Sequence, residues 1–414
     1  MVEKHVHCKN NIKQTAFVFL AFILICIAGA FMPSQNVHAA SKDYDGFKKA
    51  VINAYKNYKT EVDVKSFKLY KNADSVDIKN VMTEVINETP YLFYTGQSFS
   101  KEIVVSTNQI IRIVLTYSKE YTKPNGSVDK AKIIRTRKKL DSAVKSAMKL
   151  VNSKMTSVEK AVVFHDYIIS STEYNDDSSR LSRNTECGVF LNHKANCQGY
   201  SRAYAILLEK AGIPVDFVIS DRMSHMWNLI KINGKWYNVD VTWDDPIDTN
   251  SEKDQYGLVR HEYFLCSTKF FKSHGYYGFT AAKSSSTKYD KKYWRNVDSA
   301  FHYRNGSWIY LNSSGIAKRN DISSGTAVKL YGIKGKSMIR FNSSKYYFIA
   351  YNSIYMYNAV TNSVKVIWKT SSKYSKSYYV TQIKYESGKI YYRVLKGSRH
   401  TNGSFKVKKN GMAV

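Results

Sequence analysis

The dipeptide Asn233-Gly234 separates two runs, Met226 to Ile232 and Lys235 to Val241, in which apolar and polar residues alternate. Alternation with a period of two marks half-buried strands, and Asn-Gly suits the positive φ angles of a two-residue hairpin turn. Such a turn leaves no freedom of register: Ile232 faces Lys235, so Trp227 faces Asp240. His225 stands two residues before Trp227, on the same side of the sheet and diagonal to Asp240. Diagonal neighbours are roughly 7–8 Å apart, within reach of an imidazole bonded to a carboxylate. The hairpin alone therefore predicts a His225–Asp240 pair.

Such a pair orients a base, and a base needs a nucleophile. Upstream, NCQGYSRAYAILLEKAGIP (Asn196 to Pro214) reads as a helix with Asn196 as N-cap and Gly212 and Pro214 beyond its end. Ala203, Tyr204, Leu207, Leu208 and Ala211 form its apolar stripe. Cys197 falls in the first turn, where unpaired N–H groups and the helix dipole favour a thiolate and can hold an oxyanion. Gly199 is expected to keep the approach to the thiol open. Cys197, His225 and Asp240 are thus the candidate nucleophile, base and orienter. The competing reading of Cys197 is a buried structural thiol. A metal set of Cys187, His193, Cys197 and His225 matches no common zinc spacing and leaves Asp240 without a role. Neither a metal nor a cofactor is expected.

The N-terminus bears on compartment. Lys4, Lys9 and Lys13 precede an apolar run from Ala16 to Phe31, and Val37-His38-Ala39 offers a small-x-small cleavage site. This pattern predicts a secretory signal over residues 1–39, cleaved near Ala39, with an uncleaved anchor as the alternative. No later run is long and apolar enough to span a membrane, so a secreted or cell-surface protein is expected. Of five cysteines, Cys8 and Cys26 leave with the signal; Cys187, Cys197 and Cys266 remain. If two of these pair, Cys187 with Cys266 leaves Cys197 free.

Residues 40–154 read as an α+β region: helices at Tyr44 to Tyr58, Ser75 to Glu88 and Val128 to Val151, and strands at Lys101 to Val105 and Ile110 to Tyr117. Residues 155–282 hold the chemistry, opening on a helix from Ser157 to Ser171 in which His165 reads as structural. Residues 283–414 read as all-β and rich in Tyr and Lys. They repeat a turn followed by aromatic alternation at Asn305 to Leu311, Ser343 to Ile349 and Ser387 to Val394, a pattern for a sandwich or an open, propeller-like array. This last region holds 25 Lys and Arg against 4 Asp and Glu, an excess of +21 within a chain of net charge +30. An imbalance of that size implies an anionic partner, and for an exported chain an anionic cell-wall polymer or carbohydrate fits. Simple solubility is the plainer explanation. Nucleic acid is disfavoured by export and by the lack of a recognised binding motif.

Taken together, EKAVVFHDYIISSTEYN, NCQGYSRAYAILLEKAGIP, SHMWNLIKINGKWYNVDVTWDDP and YFLCS resemble the transglutaminase-like superfamily in its compact bacterial form, over roughly Ser157 to Phe271. The resemblance implies a papain-like α+β core and a Cys–His–Asp triad carried over to Cys197, His225 and Asp240. Trp243, Asp244 and Asp245 also match and are expected to be structural, as solvated or capping carboxylates beside a turn. The implied function is acyl transfer on a peptide or glutaminyl amide of a protein or peptide substrate; the resemblance does not choose between hydrolysis and cross-linking, and hydrolysis is slightly favoured because nothing in the sequence excludes water. The alternative is a non-enzymatic surface-binding protein that works through its basic aromatic tail.

Overall fold

The computed structural model describes residues 42–70, 75–177, 181–248, 253–281, 283–370, 378–397 and 399–414; the expected signal sequence lies outside them. In the first region α1 (Lys42–Lys56) and α2 (Ser75–Glu88) pack beside an antiparallel sheet of order β1 (Glu61–Asp63), β3 (Gln109–Tyr117), β2 (Thr95–Val104). Strand β2 starts six residues before the sequence-based expectation, because Thr95 already pairs with Tyr117 across a bulge that Gly and Ser conceal in the hydropathy pattern. Helix α3 (Lys130–Met148) starts on Asp129, whose carboxylate accepts the Lys132 N–H. Helix α4 (Ser157–Ser171) opens on a full capping box between Thr156 and Glu159.

The segment after α4 folds around α5 (Cys197–Lys210). Short strands β4 (Glu173–Tyr174) and β5 (Lys194–Ala195) pair in parallel just ahead of it. Residues Gly199 to Leu208 of α5 are all buried, so this helix is a central post rather than a surface element. Tyr204 Oη donates to the Ala161 carbonyl of α4 at 3.0 Å. On the other flank lies the antiparallel sheet β6 (Val215–Ser220), β7 (His225–Ile232), β8 (Lys235–Val239). Ser201 Oγ donates to the Met226 carbonyl at 3.0 Å, which ties α5 to β7. The ladder pairs Ile232 with Lys235 and Asn228 with Val239, the register that the Asn233-Gly234 turn predicts. A two-strand ribbon, β9 (Ile247–Asp248) and β10 (Lys253–Asp254), and helix α6 (Thr268–Ser273) follow.

The tail forms three antiparallel sheets in chain order. The first is β11 (His302–Arg304), β12 (Ser307–Asn312), β13 (Gly315–Arg319) and β14 (Val328–Tyr331). The second is β15 (Lys336–Arg340), β16 (Lys345–Ala350), β17 (Ser353–Asn358) and β18 (Ser363–Lys369). The third is β19 (Tyr378–Glu386), β20 (Lys389–Lys396) and β21 (Arg399–Lys406). The three repeats read from sequence fall on β12, β16 and β20, the second strand of each sheet. Alternation explains how the sheets stack. Trp308 and Tyr310 of β12 point into the core shared with α4 and α5, while Ile309 and Leu311 meet Tyr346 and Phe348 of β16. Tyr347 and Ile349 of β16 meet Ile383 and Ile390 of the third sheet. The order is core, first sheet, second sheet, third sheet, with apolar contact on both faces of the inner two.

One buried ion pair fastens the first region to the central helix. Arg202 is 1% exposed; its Nε donates to Glu186 Oε2 at 2.7 Å, and Nη1 and Nη2 donate to the carbonyls of Ile86 and Thr89 at 2.7 and 3.0 Å. Glu186 Oε1 in turn accepts the Tyr91 N–H at 2.6 Å. The Glu186→Gln variant strands a buried guanidinium and is expected to lose about 3–5 kcal/mol in urea unfolding. Asp141→Asn, which breaks the exposed Arg137–Asp141 pair, is expected to cost no more than about 0.5 kcal/mol.

Candidate active site

The thiol is placed by the N-cap. Asn196 Oδ1 accepts the Gly199 N–H at 3.3 Å, and Asn196 Nδ2 donates to Asn184 Oδ1 at 2.7 Å, which fixes the cap amide in one orientation. Cys197 begins α5 and is half-buried. Cys187 and Cys266 are buried, and burial pushes both of their thiols well above the usual range. All three cysteines are free thiols, so the Cys187–Cys266 pairing is not formed. Gly199 has a different role from the one expected. It is buried, and a Cβ there would stand 2.4 Å from the Arg183 carbonyl, so glycine is needed to let the 183–195 segment close on the helix rather than to admit substrate.

His225 is the first residue of β7, and Asp240 follows directly on the last residue of β8. His225 Nε2 and Asp240 Oδ2 are 2.5 Å apart, which leaves Nδ1 unengaged by the carboxylate; Cys197 is near enough to act on the imidazole's charge. The ring stacks between Trp227 and Trp243, with centroids at 5.7 and 5.3 Å and tilts of 27° and 29°. Asp240 is fully buried and all its lone pairs are used. Its Oδ1 accepts the N–H groups of Thr242 and Trp243, both at 3.0 Å, closing the strand end. Its Oδ2 takes His225 and also the Tyr276 hydroxyl at 2.8 Å.

Burial by itself would drive the proton off His225. The charge and hydrogen bond of Asp240, aided by Cys197, outweigh it and raise the imidazolium to about 10. The folded value lies above the unperturbed ~6.5. The pair therefore stabilises the fold fully below about pH 6.5, and that contribution is lost as pH rises through about 10.

Asp244 and Asp245 are structural but not solvated: they are 0% and 5% exposed. Asp244 accepts the Tyr263 N–H and meets His165 Nε2 at 3.0 Å. Asp245 accepts the Tyr200 hydroxyl at 2.5 Å. His165 belongs to a buried cluster with Asp166 and His261. Among the described residues this is the one group of three His, Cys, Asp or Glu placed to share an ion, and the set Cys187, His193, Cys197 and His225 does not assemble. Sequence reasoning missed Tyr276, Asp166 and His261. Tyr276 lies 36 residues beyond Asp240 in a loop with no periodic pattern, so no local signal marks it.

Residues 145–241, which span Cys197, His225 and Asp240, match the model of the Transglutaminase-like superfamily. Residues 145–241 thus carry a transglutaminase-like core. Among solved structures the chain is similar to a TGase, at 18% identity over 42% of this chain and 49% of that one, with a TM-score of 0.24. It is also similar to a proposed cysteine protease from Cytophaga hutchinsonii, at 16% identity over 35% and 61% of the two chains, with a TM-score of 0.21. A proposed lipoprotein from Clostridium novyi NT aligns at 11% identity over 26% and 86%, also at 0.21. The chain spans about half the length of that TGase. No curated protein matches it.

Tyr276 disperses the charge of Asp240, so its loss should tighten the carboxylate's hold on the imidazolium. Tyr276→Phe is expected to raise the His225 titration midpoint by about half to one pH unit, read by NMR of the ring protons.

Proposed function

We propose that the protein is an exported thiol acyl-transfer enzyme that acts on peptide or glutaminyl amides, with Cys197 as nucleophile, His225 as acid and base, and Asp240 as orienter. The observation that supports this most is the placement of His225: its Nε2 is pinned by Asp240, its ring stacks on two indoles, and its charge is influenced by Cys197, a half-buried thiol at a helix start. The cap of α5 uses the Gly199 N–H. The N–H groups of Cys197 and Gln198, first-turn donors without an intrahelical partner, are then suited to an oxyanion.

In this reading the Cys197 thiolate attacks the amide carbonyl and forms a tetrahedral oxyanion. The C–N bond breaks as His225 Nδ1 passes its proton to the departing amine, leaving a thioester on Cys197. Water then gives a proton back to His225 and adds to the thioester, and the C–S bond breaks to release acid and thiolate. An amine in place of water would give cross-linking. Hydrolysis is slightly favoured over cross-linking, because cross-linking additionally requires an amine site shielded from water.

Iodoacetamide alkylation tests the site without a known substrate. Cys197 is expected to react fastest of the three thiols and to slow at least about tenfold in His225→Ala, while buried Cys187 and Cys266 stay inert in the native protein. Equal rates at all three, read by peptide mass spectrometry, would refute the assignment. On an amide substrate, activity should fall along an alkaline limb near pH 10 as His225 loses its proton, and Cys197→Ala should lower kcat by at least about 10³-fold.

The tail supports a second role beside catalysis. Its excess of +21 and its 16 Tyr suit an anionic cell-wall polymer or carbohydrate. Retention on isolated cell wall should survive Cys197→Ala and fall steeply between about 50 and 500 mM salt; salt-independent retention would exclude a charge-driven anchor.

A further inference from the structure

Outside the Cys197 site, three buried side chains turn one ligand atom each toward a common point. They are His165 and Asp166 on α4, and His261 in the segment before α6. Asp166 Oδ1 stands 2.9 Å from His165 Nδ1 and 2.8 Å from His261 Nε2. The outward atom of each has a separate partner. His165 Nε2 meets Asp244 Oδ2 at 3.0 Å, His261 Nδ1 meets the Val297 carbonyl at 3.3 Å, and Asp166 Oδ2 accepts the Phe301 N–H at 2.7 Å. This is the pattern of a ligating histidine, whose outer N–H goes to a carboxylate or carbonyl while its lone pair is turned inward.

With protons on the outer nitrogens, the inner nitrogens are acceptors and face a third acceptor, Asp166 Oδ1. A cation among the three would also balance the carboxylates of Asp166 and Asp244, both of which are buried.

We propose that His165 Nδ1, Asp166 Oδ1 and His261 Nε2 form a binding site for a divalent transition-metal ion of the zinc class. Two imidazoles and a carboxylate disfavour Ca²⁺ and Mg²⁺, which take oxygen ligands, and suit Zn²⁺, Co²⁺, Mn²⁺ or Fe²⁺. The ion enters between the three inner atoms, and any proton they carry leaves to solvent as it binds. The ion joins α4 to the His261 segment directly. Through the partners of its ligands it also reaches the tail at Val297 and Phe301 and the turn at Asp244. Cys197 is not part of the site, so the proposal does not depend on the catalytic reading.

The test uses the full-length protein as Cys197→Ala, so that the thiol and His225 cannot capture the ion. After chelation, Zn²⁺ is titrated calorimetrically in two buffers of different ionisation enthalpy, melting is followed in parallel, and Co²⁺ uptake is read by visible absorption. One equivalent of ion, a buffer-dependent heat from proton release and a melting point raised by about 5 °C or more are expected. Asp166→Asn and His261→Gln, each checked for native circular dichroism, should weaken uptake at least about 100-fold. No saturable uptake of Zn²⁺ or Co²⁺ at about 100 µM with an unchanged melting point overturns the site by itself, whatever the variants do. Uptake that survives both substitutions in folded protein overturns it equally.

Discussion

Three carboxylates within six residues, Asp240, Asp244 and Asp245, are withdrawn from water. A buried carboxylate costs several kcal/mol unless it is paired or fully hydrogen-bonded, so the surroundings of this one turn are constrained from every side. Asp240 requires His225, Tyr276 and two backbone N–H groups; Asp244 requires His165 and the Tyr263 N–H; Asp245 requires the Tyr200 hydroxyl. Those partners come from β7, α4, α5 and the segments flanking α6. The turn is consequently where the helical and sheet halves of the core are brought to one register. The geometry at Cys197 inherits its precision from a network most of which never approaches the sulfur.

What could be read in advance was whatever a short stretch of chain decides alone. Ser75–Glu88 and Ser157–Ser171 were legible as helices because apolar periodicity and end signals agree within each. The hairpin was legible because Asn233-Gly234 permits one register, and that register carries His225 to Asp240. The unread features are non-local. Nothing near Asp244 in the chain announces that it is sealed against His165, 79 residues away. Tyr276 and His261 sit in loops whose contacts are set only after the core closes. Gly199 was read for the wrong reason, since its packing partner, the Arg183 carbonyl, belongs to an irregular segment with no pattern to read.

The tail illustrates a different limit. Aromatic alternation announced strands, but not that β12 and β16 would each be covered on both faces. The pattern of a two-sided strand differs from a one-sided one only in which apolar residues alternate, here Trp and Tyr against Ile and Leu in β12. The number of strands per sheet followed from turns too varied in sequence to count.

Glu159 joins these levels in one side chain. Its Oε2 closes the capping box on Thr156, and its Oε1 accepts the Trp308 indole N–H at 2.6 Å. The start of α4 and the first tail sheet therefore share a single carboxylate, and Trp294, Phe301, Trp308 and Tyr310 fill the same core as α4 and α5. A fragment cut at residue 282 would open that core to water, strip Glu159 and Asp166 of partners, and loosen the helix that carries His165. The first sheet is therefore a wall of the transglutaminase-like core, and a proteolytic clip that removes it would unseat that core rather than shed an accessory.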